Sequence, residues 1–204
     1  MNRPNPMRTF DPRRVARYER DNWAAYYRKE WLTLLRVSVG LVRASFGLSL
    51  WDSIVGAYLV ARAEMAAAPF PDNDLPRAEA YMRRFYMLVR RVHGESFDVA
   101  QVAHLEVNWW VVHRQLFGKA ENQPLTDALT ELYAASYSVP PASVRAAAAY
   151  RAEAMLYSDR WVNEGRAAGS PLLAQVEEAL ARSYGALRAA VGPAPAGVAA
   201  PRPG

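Results

Sequence analysis

Proline recurs at the openings of this chain's long apolar-periodic stretches and is absent from their interiors, and that placement dictates a helical fold. Asp11-Pro12, Asp74-Leu75-Pro76, Pro124, Pro140-Pro141 and Ser170-Pro171 each begin such a stretch. There the missing backbone N–H is one that no intrahelical acceptor needs, and φ is already helical. Glycines at 47, 94 and 118 stand where stretches stop, as left-handed C-caps require. Between these marks apolar residues return every three or four positions, and no alternating run bounded by hairpin turns occurs. The expectation is an all-α, single-domain bundle of about six or seven helices. The first is long, running from Pro12 to about Phe46 with a bend at Gly40. The others run from Ser49 or Asp52 to Ala68, from Asp74 to Gly94, from Asp98 to Gly118, from Pro124 to Tyr137, from Ala142 to Glu164 and from Pro171 to Val191.

At 204 residues the chain suffices for one well-buried core. The helical domain is expected over 11–191. A flexible segment, 1–10, precedes it, and a disordered tail, 192–204, follows, holding four prolines, three glycines and no large apolar side chain. Net charge is +5, yet the basic excess sits at the ends: residues 1–17 carry five arginines against Asp11, and 18–191 carry 19 basic and 19 acidic side chains. A neutral body argues against a nucleic-acid partner. Five arginines on the third expected helix, Arg77, Arg83, Arg84, Arg90 and Arg91, read as a solvated face. Between Trp31 and Ala61 the chain is strongly apolar, but Arg36, Arg43 and Asp52 interrupt it short of the ~18 residues of a transmembrane span. No cysteine is present, so disulfides and thiolate metal sites are excluded, and the expected location is cytoplasmic.

The segment His104–Arg114 holds the residues of greatest chemical interest. At 100° per residue, Glu106 shares its helix face with Val99, Val102, Ala103, Trp109, Trp110, His113 and Phe117. A carboxylate on an apolar stripe needs a partner, because burying it unpaired costs several kcal/mol. Arg151 occupies the matching position on the sixth expected helix, among Val144, Ala147, Ala148 and Met155. Two arrangements satisfy both charges. One is a structural Glu106–Arg151 ion pair, and the other is a pocket in which Glu106, His113 and Arg151 converge, lined by Trp110, Trp23 and Tyr27. Glu19 and Glu30 fall at the edge of the first helix and are expected as wet flank residues.

No metal is expected. The chain has no Glu-x-x-His pair and only three histidines, and Glu106 and His113, seven residues apart, stand about 10 Å apart along a straight helix. Phosphate loops, nucleophile elbows and zinc signatures are absent, and no motif indicates a cofactor. Two functions follow as expectations. The favoured one is a non-catalytic module that binds a protein partner or a second copy of itself, with the apolar surface around Leu48, Leu50, Trp51, Ile54, Tyr58 and Leu59 as its docking face. The alternative is a small-molecule-binding protein or carboxylate/His metal-dependent enzyme with a pocket in the bundle core.

Overall fold

A computed structural model describes residues 5–192. The proposed tail lies outside these residues, except for Gly192, as do residues 1–4. The described part is all-helical: a short 3-10 turn at Pro6–Arg8, then α1 (Pro12–Tyr27), α2 (Trp31–Phe46), α3 (Leu50–Ala67), α4 (Leu75–His93), α5 (Val99–Leu116), α6 (Gln123–Tyr137), α7 (Pro141–Asn163) and α8 (Pro171–Val191). The caps follow the sequence signals. Asp11, Ser49, Asp74, Asp98 and Ser170 each accept a hydrogen bond from a first-turn backbone N–H of the helix that follows. Gly47 and Gly94 end α2 and α4 with φ of 61° and 65°.

The expected long first helix is two helices, and the count is eight. The chain breaks at Arg28-Lys29-Glu30, where Lys29 takes φ 59° without a glycine or proline to mark the place. A left-handed non-glycine residue costs about 1–2 kcal/mol. Folding back offsets this, because it lays α2 against α1, with Gly40 close against the Tyr18 ring and Asn22 Nδ2 donating to Ser38 Oγ at 2.7 Å. The freed end of α1 is also bonded, since Arg166 Nη1 donates to Tyr27 O at 3.1 Å. Gly40 does not bend its helix. It permits close approach, for a Cβ there would lie 2.3 Å from Tyr18 Cε1.

Each helix packs chiefly against its neighbours in sequence, and α8 returns to pack on α1, so the eight helices close into a ring. One end of the ring is plugged by Asn5–Phe10, the part of the expected flexible segment that is described. Met7 is fully buried and Phe10 nearly so. Arg8 fastens the plug: its Nη2 lies 2.8 Å from Glu95 Oε2 and donates to Tyr137 O at 3.0 Å. Burial of Met7 supplies the driving force that basic composition at the N-terminus concealed. At the other end, Arg114 Nη1 donates to Ala67 O at 2.8 Å, tying α5 to the last turn of α3.

No single helix among the described residues is long and apolar enough to cross a membrane. The pair α2 and α3 reaches that apolar length only across a 112° bend. Both display apolar residues outwards, including Leu32 (85% exposed), Leu35, Trp51 (78%), Val55 and Tyr58. The five α4 arginines are exposed, as a solvated face requires.

The plug and the glycine caps are separable by mutation. At Gly94 an added Cβ meets nothing within 4 Å, whereas at Gly47 it would fall 2.2 Å from Pro6 Cβ. Gly94→Ala should therefore lose only the left-handed penalty of about 1–2 kcal/mol, and Gly47→Ala should lose about 1–3 kcal/mol more in urea denaturation. Equal losses would show that Pro6 does not pack there.

Candidate functional site

The ring encloses a cavity of about 190 Å³ to which all eight helices contribute wall residues. Its polar groups fall into two linked clusters. In the first, Glu19 of α1 is buried (2% exposed) and receives Arg151 Nη2 of α7 at 2.6 Å on one oxygen and the Tyr184 hydroxyl of α8 on the other. Arg151 Nη1 donates to Tyr133 Oη of α6 at 3.2 Å, and its guanidinium lies 5.0 Å from the Trp109 ring centroid. In the second, Glu106 of α5 accepts from the Tyr86 hydroxyl at 2.6 Å and from Trp109 Nε1 at 3.0 Å. Trp109 thus serves both, with its face under the cation and its N–H on the carboxylate.

Burial and the adjacent carboxylates set the protonation of these groups. Tyr86 and Tyr184 are pushed well above the usual phenol range, first by burial and then by Glu106 and Glu19 respectively. They remain neutral donors throughout the physiological range. Burial works against the Arg151 cation, but Glu19 together with Tyr133, Tyr184 and Glu106 outweighs it and holds the guanidinium charged.

Glu64 of α3 is the one exposed residue on the wall, so the cavity reaches solvent beside it. Its carboxyl stands within the concavity, short of full hydration and facing Glu106. Loss of hydration, and then Glu106, raise it from the ordinary carboxylate range to about 7. Water at the mouth screens this effect. Two wall residues carry an atom without any partner: Arg151 Nε and Ser136 Oγ are buried without a hydrogen bond, and Ser136 is only 5% exposed. Such orphaned donors cost about 1–3 kcal/mol each unless something meets them.

Four of the six residues singled out from sequence, Glu106, Arg151, Trp110 and Trp23, stand on this wall. The other two do not. His113 Nε2 lies 3.2 Å from Asp159 Oδ1, and the Gly118 N–H donates to Asp159 Oδ2 at 3.3 Å, so this imidazole fixes the end of α5 to α7. Tyr27 packs edge-on against Trp161, with ring centroids 6.3 Å apart. Tyr27 sits about one turn beyond the cavity residue Trp23 and His113 about two turns beyond Glu106, which is why a shared helix face did not bring them in. The expected Glu106–Arg151 ion pair is replaced by Glu19–Arg151, because the buried face of α1 brings Glu19 to Arg151 of α7 and Tyr184 of α8, while Glu30 stays at the break beside Arg28, 2.7 Å away. Glu19 was legible in principle: Val15, Ala16, Glu19 and Trp23 follow helical spacing, which marks one inward stripe. Among the described residues no three His, Cys, Asp or Glu side chains converge as a metal site would require.

Comparison with protein-family models, with curated proteins and with solved structures finds no match for this chain.

Two predictions follow. Glu19→Ala strands a buried cation and should cost about 3–5 kcal/mol in chemical denaturation, whereas Glu106→Gln, which breaks no ion pair, should cost less than about 1 kcal/mol. The reverse ranking would contradict the pairing described. For Glu64, a folded-state pKa above the unfolded one means that the native chain holds the proton more tightly. Stability from this group is full below the ordinary carboxylate range and is lost as pH rises from there towards 7. Glu64→Gln should flatten that fall, and an unchanged pH profile would show the carboxyl to be fully hydrated.

Proposed function

We propose that this chain is a small-molecule-binding protein and that the cavity inside the helix ring is its site. One observation carries the reading: Arg151 and Ser136, whose Nε and Oγ are buried and unpartnered, stand on the wall of a space to which every helix contributes. Pockets in helical bundles are built this way, from inward side chains on facing helices. The volume sets the scale of the guest. An engineered apolar cavity of about 150 Å³ admits benzene, so about 190 Å³ suits a molecule of one ring and a few substituent atoms. Aromatic walls from Trp23, Trp110 and Phe85 offer it apolar area, and the polar clusters orient it. A cysteine-free chain with this site fits a cytoplasmic setting.

The test is calorimetric titration with one-ring fragments against the wild type and against Ser136→Met, which fills the cavity from α6. Binding by the wild type and its loss in a variant of unchanged helical content is expected. Equal binding by both would place the guests elsewhere.

A second reading, self-association through α2 and α3, rests on a separate feature. Monomers seldom leave as many large apolar side chains outward on two adjacent helices as Leu32, Leu35, Trp51, Val55 and Tyr58. Sedimentation equilibrium should then give a dimer that Trp51→Glu dissociates, and a concentration-independent monomer would rule it out.

A further inference from the structure

We infer that the guest of the central cavity is a small organic cation: a protonated amine on a ring or alkyl group of about five to eight heavy atoms in all. The inference rests on the reading of the cavity as a binding site and specifies its chemistry.

Charge around the cavity is unequal. The Arg151 cation is consumed by Glu19 at 2.6 Å. Two carboxylates remain. Glu106 is held by the neutral donors Tyr86 and Trp109, and Glu64 has no hydrogen-bond or ion-pair partner among the described residues. They face the same space closely enough to repel each other. An anionic guest would meet both, whereas a cation placed between them relieves the repulsion and gains a partner on each side.

The walls agree with this. Arg151 already covers Trp109, but Trp23, Trp110 and Phe85 line the cavity with no cation over their rings among the described residues. Their faces attract an ammonium group through the ring quadrupole. Independently of the acids, Ser136 Oγ is buried and unpartnered, and a hydroxyl can accept from an ammonium N–H.

Protonation of Glu64 competes with such a guest. Glu106 from α5 is the charged group that acts on it; the other titratable groups on the cavity wall are Tyr86 from α4, Tyr133 and Tyr137 from α6, Tyr184 from α8 and the paired Glu19 and Arg151 from α1 and α7, while α2 presents only Ser45 and apolar side chains. Since Tyr86 stays neutral, Glu64 is the carboxyl whose charge changes near neutrality, and cation affinity should rise as it ionises.

The experiment titrates wild-type protein with three isosteric pairs: benzylamine and benzyl alcohol, cyclohexylamine and cyclohexanol, butan-1-amine and butan-1-ol. At least one amine is expected to bind about tenfold or more tightly than its alcohol, with affinity falling from about pH 8 to about pH 6. Glu106→Gln should remove most of the preference, bringing the amine's affinity close to that of its alcohol. Glu64→Gln, an exposed position that does not threaten folding, should abolish the pH dependence. Amines and alcohols binding alike would overturn the cation assignment and leave the cavity reading intact. Failure of all six to bind a protein with native helical content would overturn both.

Discussion

The buried ion pair between Glu19 and Arg151 is the interaction on which the ring depends. It joins residues 132 positions apart, and with the hydroxyls of Tyr184 and Tyr133 and the ring of Trp109 it gathers α1, α5, α6, α7 and α8 about one point. Taking two ions out of water costs more than their mutual attraction returns unless further hydrogen bonds satisfy them. Here Tyr184 and Tyr133 do so, yet Arg151 Nε is left over. A polar centre of this kind also limits how tightly the helices can close. Directional bonds fix where the tyrosines and tryptophans stand, and the space those positions leave is the cavity. An apolar core of equal volume would be free to shift until it filled that space.

Closure at the two ends has different causes. The 3-10 turn at Pro6–Arg8 seats Met7 in the ring, and Arg8 satisfies Glu95 together with the final carbonyl of α6. At the far end, arginines from other elements cap the carbonyls at the ends of α1 and α3, and Asp159 collects His113 and the Gly118 N–H. Side-chain donors there do for helix C-termini what water would do on an open surface. With both ends held, access to the interior is left to the side of the ring, where Glu64 stands in solvent at the edge of the cavity.

Much of this fold was legible in the sequence because caps are local. Asp11, Asp74, Asp98 and Ser170 each bond to backbone within three residues, so their neighbours alone reveal them. The break at Lys29 was not legible, since what compensates it is tertiary: the packing of α2 on α1 and the hydrogen bond from Arg166. Glu19 was placed on a wet edge because glutamate is seldom buried, and Arg151 was matched to Glu106. Glu106 itself stood out because it sits alone on an apolar stripe. Its partners Tyr86 and Trp109 are polar only at one atom, and hydrophobic pattern counts both as core.

The central claim is that the ring interior is a site, with room and with unspent hydrogen-bonding capacity, and not simply a loosely filled core. Electron density at high resolution from crystals of protein purified without denaturation tests it most directly. The account predicts density for a guest or ordered water within hydrogen-bonding distance of Arg151 Nε and Ser136 Oγ, bounded by Glu106 and Trp110. A cavity closed by the tryptophans, with Arg151 Nε bonded to a protein carbonyl, would contradict it.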